Sequence, residues 1–440
     1  MSPRAPLRLA LPLIAVVMTA AVWFVPEPDP PIVDGGRGAV EVRRTVWACP
    51  VESGWVVAAG QVVPGEAARA RVVPSDAAVD PLWEQADRWR VARPGGDALV
   101  LEQSGPGSGS VGWVAGARRG AAVLGACPSI VDDAWFVGLN AQNRTDGSIT
   151  LINTGENRAV ADLTWWGEQG PIESLDTTGL VVEPGGARTV AVSSVAAGEG
   201  AVAVRVSRRR GALAAIASDA GGTAAELVAP TAGAATEQVL VGLPPGDRTQ
   251  LALVNPGTST AHVAVEVRGR SGTFAAEGLA DVTVEPEAST IVSVPGSVAV
   301  DRGSLVVGSD VPVVASAIVE SGSDVARVVP ADEISGPALV PARLDGRPVR
   351  LALSTGDDAV TVTVETFAAD MTSLETAEVT VAAGATVVAP RPKSDDAAYL
   401  VLTPRGGTVG AGVWQSGGGL AAAPVRGAPV TVVAPGVSVR

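Results

Sequence analysis

The sequence is poor in the residues that most often carry out catalysis or bind metals. Its 440 residues contain one histidine, two cysteines and one tyrosine. A zinc site draws several ligands from His and Cys, and a Ser-His-Asp triad needs an imidazole beside a nucleophile and a carboxylate. The single histidine, His262, lies in an alternating apolar run and is expected to be an ordinary strand residue. The sequence therefore predicts no catalytic residue, no cofactor and no metal site.

Positive charge is also scarce. The chain has 32 lysine and arginine residues against 46 aspartate and glutamate residues, which gives a formal net charge of −14. Proteins that bind nucleic acids neutralise phosphates with clustered cations, so we expect no nucleic-acid partner. The one basic run, at residues 208–210 (RRR), lies between two strand-like runs and is predicted to be a hairpin tip.

A long hydrophobic run occurs once, near the N-terminus. Residues 9–25 are apolar without interruption, follow two arginines, and precede a segment rich in proline and glycine at residues 26–40. This pattern predicts export. No small-x-small cleavage site follows the run, and Trp23 and Phe24 suit a membrane interface. The run is therefore predicted to be an uncleaved signal anchor in the cytoplasmic membrane, with residues 26–40 as a stalk and the body outside the cytoplasm. A cleaved signal and a secreted protein are the alternative.

The two cysteines, Cys49 and Cys127, each precede a proline. Two thiols in an exported protein favour one disulfide, here closing a loop of about one domain length. A redox-active pair is the alternative, but the two residues do not form a C-x-x-C motif.

The body of the chain repeats with a period of about 100 residues, which is typical of an array of similar units. The most similar blocks are residues 148–155 (SITLINTG), 250–257 (QLALVNPG) and 350–356 (RLALSTG). A second motif begins each unit, at residues 135–139 (WFVGL) and 240–243 (LVGL), and we align residues 55–59 (WVVAA) with it in a divergent first unit.

Short valine-rich runs broken by glycine and proline predict an all-β fold. About seven such runs in each period indicate tandem immunoglobulin-like β-sandwich units behind the N-terminal hydrophobic helix. The predicted units are residues 41–130, which carry the disulfide, 131–230, 231–335 and 336–440. A β-propeller, in which each unit supplies two four-stranded blades, is the alternative.

The layout resembles an uncharacterised family of actinobacterial exported proteins with immunoglobulin-like repeats, known as a domain of unknown function. Residues 47–50 (WACP), residues 127–128 (CP) and the repeated Leu-x-Asn-x-Gly blocks carry the resemblance. The resemblance implies a cell-envelope protein, often encoded near a glycosyltransferase. It implies no catalytic residues.

Tryptophan is concentrated in the N-terminal part, where nine of the ten tryptophans precede residue 167. Trp165 and Trp166 are adjacent in a predicted strand, so they point to opposite faces and only one can lie in the sandwich core. The other is then exposed or lies at an interface. Trp165, Trp166, Trp135 and Trp55 are therefore candidates for contact with a ligand or partner, and packing between units is the alternative.

Together these features predict a non-enzymatic cell-envelope protein that binds a cell-wall glycan or an envelope protein, or acts as a scaffold. A purely structural stalk or assembly subunit is one alternative. A glycan-active hydrolase is another, and it would need two carboxylates in one cleft.

Overall fold

The structure, a computed structural model, describes most of the chain from residue 39 to residue 433. The described residues are 39–41, 44–61, 69–73, 80–81, 89–105, 109–118, 120–142, 147–221, 224–296, 303–416, 419–428 and 431–433. The predicted signal anchor at residues 9–25 and most of the predicted stalk lie outside them. Within these ranges no helix is long and apolar enough to cross a membrane.

The prediction of an all-β protein is confirmed. The first strands are β1 (Ala39–Glu41), β2 (Arg44–Pro50), β3 (Val56–Gln61), β4 (Arg69–Val73), β5 (Asp80–Pro81), β6 (Trp89–Ala92), β7 (Ala98–Ser104), β8 (Ser110–Arg118) and β9 (Ala121–Ala126). The next are β10 (Asp133–Leu139), β11 (Ser148–Asn153), β12 (Ala159–Gly167), β13 (Gly170–Ile172), β14 (Leu180–Val182), β15 (Ala187–Ala191), β16 (Val202–Arg210), β17 (Leu213–Gly221) and β18 (Ala224–Val228). Two 3₁₀ turns, Leu175–Thr177 and Val192–Ser194, interrupt this part of the chain.

The second half continues in the same way. Its strands begin with β19 (Ala235–Leu240), β20 (Arg248–Asn255), β21 (Ala261–Gly269), β22 (Gly272–Ala275), β23 (Val282–Val284), β24 (Ala288–Val294), β25 (Ser304–Ser321) and β26 (Asp324–Val328). They end with β27 (Glu333–Ile334), β28 (Ala338–Pro341), β29 (Arg343–Leu344), β30 (Arg347–Pro348), β31 (Arg350–Ser354), β32 (Val360–Ala368), β33 (Ser373–Val381), β34 (Thr386–Val388), β35 (Ala397–Arg405), β36 (Val409–Gln415), β37 (Ala421–Pro424) and β38 (Thr431–Val433). β1 and β38 pair in a separate two-stranded sheet, and residues 41–430 form one compact body.

Within that body the strands fall into four consecutive sets, named here unit 1 (β2–β9), unit 2 (β10–β18), unit 3 (β19–β26) and unit 4 (β27–β37). Each unit has two main sheets, and unit 4 also contains the short pair β29-β30. Sheet I has the strand order β2-β7-β4-β5, β10-β16-β12-β13, β19-β25-β21-β22 or β28-β35-β32-β33. Sheet II has the order β6-β3-β8-β9, β15-β11-β17-β18, β24-β20-β25-β26 or β34-β31-β36-β37. In unit 3 the 18-residue β25 belongs to both sheets.

The strand order distinguishes a sandwich from a propeller. The chain of each unit crosses repeatedly between sheet I and sheet II, as in a sandwich, and the long sequence period is one complete two-sheet unit. The β-sandwich prediction is therefore confirmed.

The four sandwiches also pack on one another, and the packing closes into a ring. Sheet I of each unit covers sheet II of the next unit, and sheet I of unit 4 covers sheet II of unit 1. The four contacts join Val46 and Val100 to Ile152 and Ala214, Trp135 and Val137 to Ala252 and Ile318, Val241 to Ala352 and Trp414, and Leu339 to Trp113. At the centre β9, β18, β26 and β37 contact one another in a closed cycle. We call the line that these four strands surround the ring axis.

Glycines in the repeated Val-Gly-Leu motif make the close approach between units possible. Gly138 and Gly242 have φ values of 78° and 73°, in the left-handed region that L side chains rarely adopt. A Cβ atom at Gly138 would lie 2.6 Å from the Cβ of Ala252, and one at Gly242 would lie 2.5 Å from the Cβ of Ala352. The motif therefore marks the surface on which each of these units meets the next.

Candidate functional site

The adjacent tryptophans of β12 serve two different cores. Trp165 is 1% exposed inside unit 2, where its Nε1 donates to Oγ1 of Thr177 at 3.1 Å. Trp166 points to the other face, is 6% exposed, and stacks on Trp135 with ring centroids 4.9 Å apart. Both rings of that stack pack against unit 3. Strand periodicity thus puts one indole in the sandwich and the other between units.

Trp55 and Trp135 are each 3% exposed, so none of the four candidate tryptophans presents an indole face to solvent. Trp55 lies in the core of unit 1 and donates to the carbonyl oxygen of Ala117 at 3.3 Å. Its alignment with Trp135 is wrong. Trp47 is the counterpart, because it forms a bridge with Ser129 as Trp135 does with Thr231.

A solvent-accessible groove opens where the Trp135–Trp166 stack ends. The groove has a volume of about 650 Å³ and lies between sheet I of unit 2 and, in unit 3, the loop at residues 256–259 and part of β25. We call it the unit 2–unit 3 groove. Its lining includes Asp133, Trp135, Arg205, Thr258, Ser259 and the prolines Pro256 and Pro312.

Charged side chains on neighbouring strands form one wall of this groove. Nε of Arg205 donates to both carboxylate oxygens of Asp133, at 2.8 and 3.0 Å. The guanidinium lies 5.5 Å from the ring centroid of Trp135, within the range of a cation–π contact. The hydrogen bond to Asp133 raises the pKa of Arg205 above its ordinary value. The two side chains are 44% and 31% exposed, so a ligand in the groove can reach them.

The opposite wall is a turn that one buried side chain holds in place. Nδ2 of Asn255 donates to the carbonyl oxygens of Ser259, at 2.7 Å, and Val284, at 3.2 Å. Its Oδ1 accepts from the backbone N–H of Gly257 at 3.0 Å. These bonds fix the turn that presents Thr258 and Ser259 to the groove.

The same hydrogen bonds recur one unit earlier. Asn153 donates to the carbonyl oxygens of Asn157 and Val182, and its Oδ1 accepts from the N–H of Gly155. The repeated Leu-x-Asn-x-Gly block is therefore a structural turn motif. In unit 3 the same turn also forms a wall of the groove.

A buried charge cluster lies at the ring axis. Nη2 of Arg327 is 3.1 Å from Oδ2 of Asp219 and 3.2 Å from Oε1 of Glu226, and these side chains are 3%, 11% and 4% exposed. Burial raises the pKa of Glu226 to about 7, although the charge of Arg327 opposes the rise. This cluster could not be predicted from local sequence patterns, because its members come from β17, β18 and β26.

Asp324 extends the cluster to the other two units. Its Oδ2 accepts from the backbone N–H groups of Leu420, at 2.6 Å, and Ala122, at 3.4 Å. Ala122, Asp324 and Leu420 occupy equivalent positions in units 1, 3 and 4. Each lies six residues before the second residue that follows the last strand of its unit, which is Pro128, Pro330 or Arg426. A single carboxylate thus ties units 1, 3 and 4 together at the axis, while Arg327 ties unit 3 to unit 2.

Other residue types that could carry chemistry lie apart from the groove. Cys49 and Cys127 form a disulfide with Cα atoms 4.7 Å apart, which joins the two sheets of unit 1. His262 is exposed, with Nδ1 3.2 Å from Oδ1 of Asp281. Among the described residues no three His, Cys, Asp or Glu side chains are placed to hold a metal ion.

A glycan-active hydrolase would need two carboxylates in one cleft. Asp133 is the only carboxylate among the described residues that line the unit 2–unit 3 groove. A second cleft, of about 430 Å³ between units 3 and 4, is lined by Asp247 and Asp324. Both of these accept backbone N–H groups, Asp247 from Gly322 at 2.7 Å.

Comparison with known proteins gives a family and no activity. Residues 91–392, which begin in unit 1 and end in unit 4, match a family of unknown function, DUF5719. No curated protein matches the chain. The resemblance to an uncharacterised family is thereby confirmed.

Proposed function

The chain belongs to the DUF5719 family, since the match covers more than two thirds of it, and we propose that it is a non-enzymatic protein of the cell envelope. Its ring of four sandwiches lies outside the cytoplasm, held to the membrane by residues 9–25, or secreted if that segment is cleaved. A glycan segment binds in the unit 2–unit 3 groove. The resemblance to actinobacterial exported proteins encoded near glycosyltransferases supports a setting rich in glycans.

The chemistry of the groove is the observation that carries this proposal. Sugar hydroxyls both donate and accept hydrogen bonds, and Asp133, Arg205, Thr258 and Ser259 offer both kinds of partner. The C–H faces of a sugar ring can pack on the prolines at the rim. A volume of about 650 Å³ suits a short oligosaccharide, because ligand sites usually measure about 300–1,000 Å³.

A paired substitution tests the glycan proposal without leaving an unbalanced charge. Asp133→Asn with Arg205→Gln removes both charges together and leaves polar side chains at both positions, and the retained fraction is measured on insoluble cell-wall polysaccharide. We expect the affinity to fall by about tenfold or more, because two polar contacts are weakened. The control is Arg158→Gln with Glu183→Gln, an exposed pair elsewhere in unit 2 with a 2.9 Å contact. Equal retention of both double variants would count against the groove.

A structural role is the second candidate, and the tryptophans favour it. The indoles of all four candidate tryptophans pack within a unit or between units. If the wild-type protein is not retained on any envelope polysaccharide, the ring is better explained as a structural or assembly subunit.

A further inference from the structure

A small cavity lies at the end of unit 1, away from the unit 2–unit 3 groove. Its volume is about 140 Å³. The walls come from Trp47 on β2, Trp113 on β8, the disulfide at Cys127, and the chain segment that follows β37, where Arg426 lies. The cavity is thus bounded by the first unit and by the last residues of the fourth.

The aromatic walls of the cavity are held in place by hydrogen bonds. Nε1 of Trp47 donates to Oγ of Ser110 at 3.1 Å, and Nε1 of Trp113 donates to the carbonyl oxygen of Leu339 at 3.2 Å. Both indoles are at most 3% exposed. Fixed side chains need little reordering when a ligand binds, which favours affinity.

Arg426 brings a positive charge to this apolar space. The residue is partly buried, and its Nη2 donates to the carbonyl oxygen of Pro230 at 2.6 Å. No carboxylate of the described residues lies within 4 Å of it. Burial lowers the pKa of Arg426, and the charge of Asp332 acts in the opposite direction. A partly buried cation without a close carboxylate favours an anionic partner.

The repeat shows that this arginine is peculiar to one unit. Arg426 stands two residues after the last strand of unit 4. The residues in the same place in units 1, 2 and 3 are Pro128, Pro230 and Pro330. Only the fourth unit places a cation at this position, and that cation lines the small cavity.

We propose that this cavity binds a small organic monocarboxylate, with its carboxylate on Arg426 and its apolar body between Trp47 and Trp113. The hydroxyl of Ser129, which also lines the cavity, is a second donor for the carboxylate. An apolar cavity of about 150 Å³ holds a benzene ring, so the body is a single ring or a short branched chain. The site is independent of the glycan groove.

The test uses the purified full-length protein with benzoate as the probe. Benzyl alcohol has nearly the same shape and no charge, and it serves as the matched ligand. Titration is followed by calorimetry and by tryptophan fluorescence, since two indoles form the walls. We expect saturable binding of benzoate, and binding of benzyl alcohol weaker by about tenfold or more.

Variants separate the charge from the cavity. Arg426→Gln should weaken benzoate binding by about tenfold or more and leave the weak binding of benzyl alcohol unchanged. Arg343→Gln, an exposed arginine of unit 4 paired with Asp395 at 2.7 Å, is the control and should not change either affinity. Circular dichroism checks that each variant is folded.

Three results would overturn the proposal: no saturable binding of benzoate, equal affinities for the two ligands, or full affinity in a folded Arg426→Gln protein. If Arg426→Gln does not fold, Ser129→Ala and the comparison of the two ligands on the wild-type protein decide instead. Ser129→Ala should weaken benzoate binding by about threefold or more and leave benzyl alcohol unaffected.

Discussion

The contacts between neighbouring units and the contacts at the ring axis are made from opposite kinds of side chain. Neighbouring units meet through apolar sheet faces, such as that of Trp113 and Leu339 between units 1 and 4. The last strands meet around Arg327, Glu226 and Asp324, which are charged and buried. Apolar area stabilises association in proportion to the surface buried, whereas a buried ion pair stabilises little over an apolar substitute.

The difference indicates a division of roles. The apolar contact recurs four times with similar geometry and would allow any unit to pack on any other. The charge cluster occurs once and requires particular residues from particular units. We infer that the interfaces supply most of the stability of the ring and that the axis specifies which unit stands where.

The largest expected effect comes from the interface between units 1 and 4. Trp113→Ala removes a side chain that is 1% exposed and leaves its hydrogen-bond partner, the carbonyl oxygen of Leu339, unsatisfied. The free energy of unfolding should fall by about 4 kcal/mol, as measured by urea denaturation. Val91→Ala, at a 48% exposed position of the same sheet, should change it by less than about 0.5 kcal/mol. Similar losses in both variants would contradict a packed interface.

The next effect comes from breaking the axis cluster. Arg327→Met should lower the free energy of unfolding by about 3 kcal/mol, because it leaves the carboxylates of Asp219 and Glu226 without their cation. Adding Glu226→Gln to Arg327→Met should recover part of that loss. If the double variant is less stable than Arg327→Met alone, the cluster stabilises the ring in some other way.

A smaller effect is expected from pH. The folded pKa of Glu226, about 7, lies above its ordinary value, so the native state binds more protons than the unfolded state between about pH 4.5 and 7. This group therefore stabilises the fold at low pH, and that stability is lost as the pH rises through 7. Between pH 5 and pH 8 its contribution should fall by about 2 kcal/mol.

Glu226→Gln isolates this contribution. The variant should show a flatter dependence of unfolding free energy on pH between 5 and 8 than the wild-type protein, measured by denaturation at each pH. An unchanged slope would place the titrating group elsewhere.

The smallest effect is expected from an exposed ion pair. Arg209, near the end of β16, pairs with Asp162 of β12, and the arginine side chain is 56% exposed. Arg209→Ala should change the free energy of unfolding by about 0.5 kcal/mol or less, since exposed pairs are screened by water and salt. A loss as large as that of Arg327→Met would erase the distinction between buried and exposed pairs.

Much of the fold could be predicted from local patterns. The repeated Leu-x-Asn-x-Gly block placed the turns, and adjacency in one strand placed Trp165 and Trp166 on opposite faces. The RRR run at residues 208–210 was predicted to be a hairpin tip, and this prediction is wrong: the run ends β16, which pairs with β10 and β12 and not with β17. Turn motifs and strand alternation depend on residues that are close together in the sequence, so sequence patterns predict them directly.

The ring could not be predicted because its signal is distributed over distant units. In β3 every residue is buried, since one face packs within unit 1 and the other on unit 4. Small residues such as Ala58 and Gly60 allow this, and a Cβ at Gly60 would lie 2.7 Å from a methyl group of Leu339. A strand with small apolar residues on both faces was the available sign.

The candidate groove was found only in part. Trp135 was among the candidates from sequence, but Asp133, Arg205 and Thr258 were not. Asp133 and Arg205 lie on strands 72 residues apart in sequence, which pairing alone brings together. Trp135 itself proved to be buried, because a residue rich in apolar area is drawn into the interface while its charged neighbours stay at the edge.

The most direct test of the closed ring is its size in solution. Small-angle X-ray scattering of residues 41–430 should give a radius of gyration of about 21 Å, the value for one compact body of that length. Four sandwiches joined end to end, each about 30 Å long, would form a rod with a radius of gyration of about 35 Å or more. A value near 21 Å supports the ring, and a value near 35 Å would contradict it.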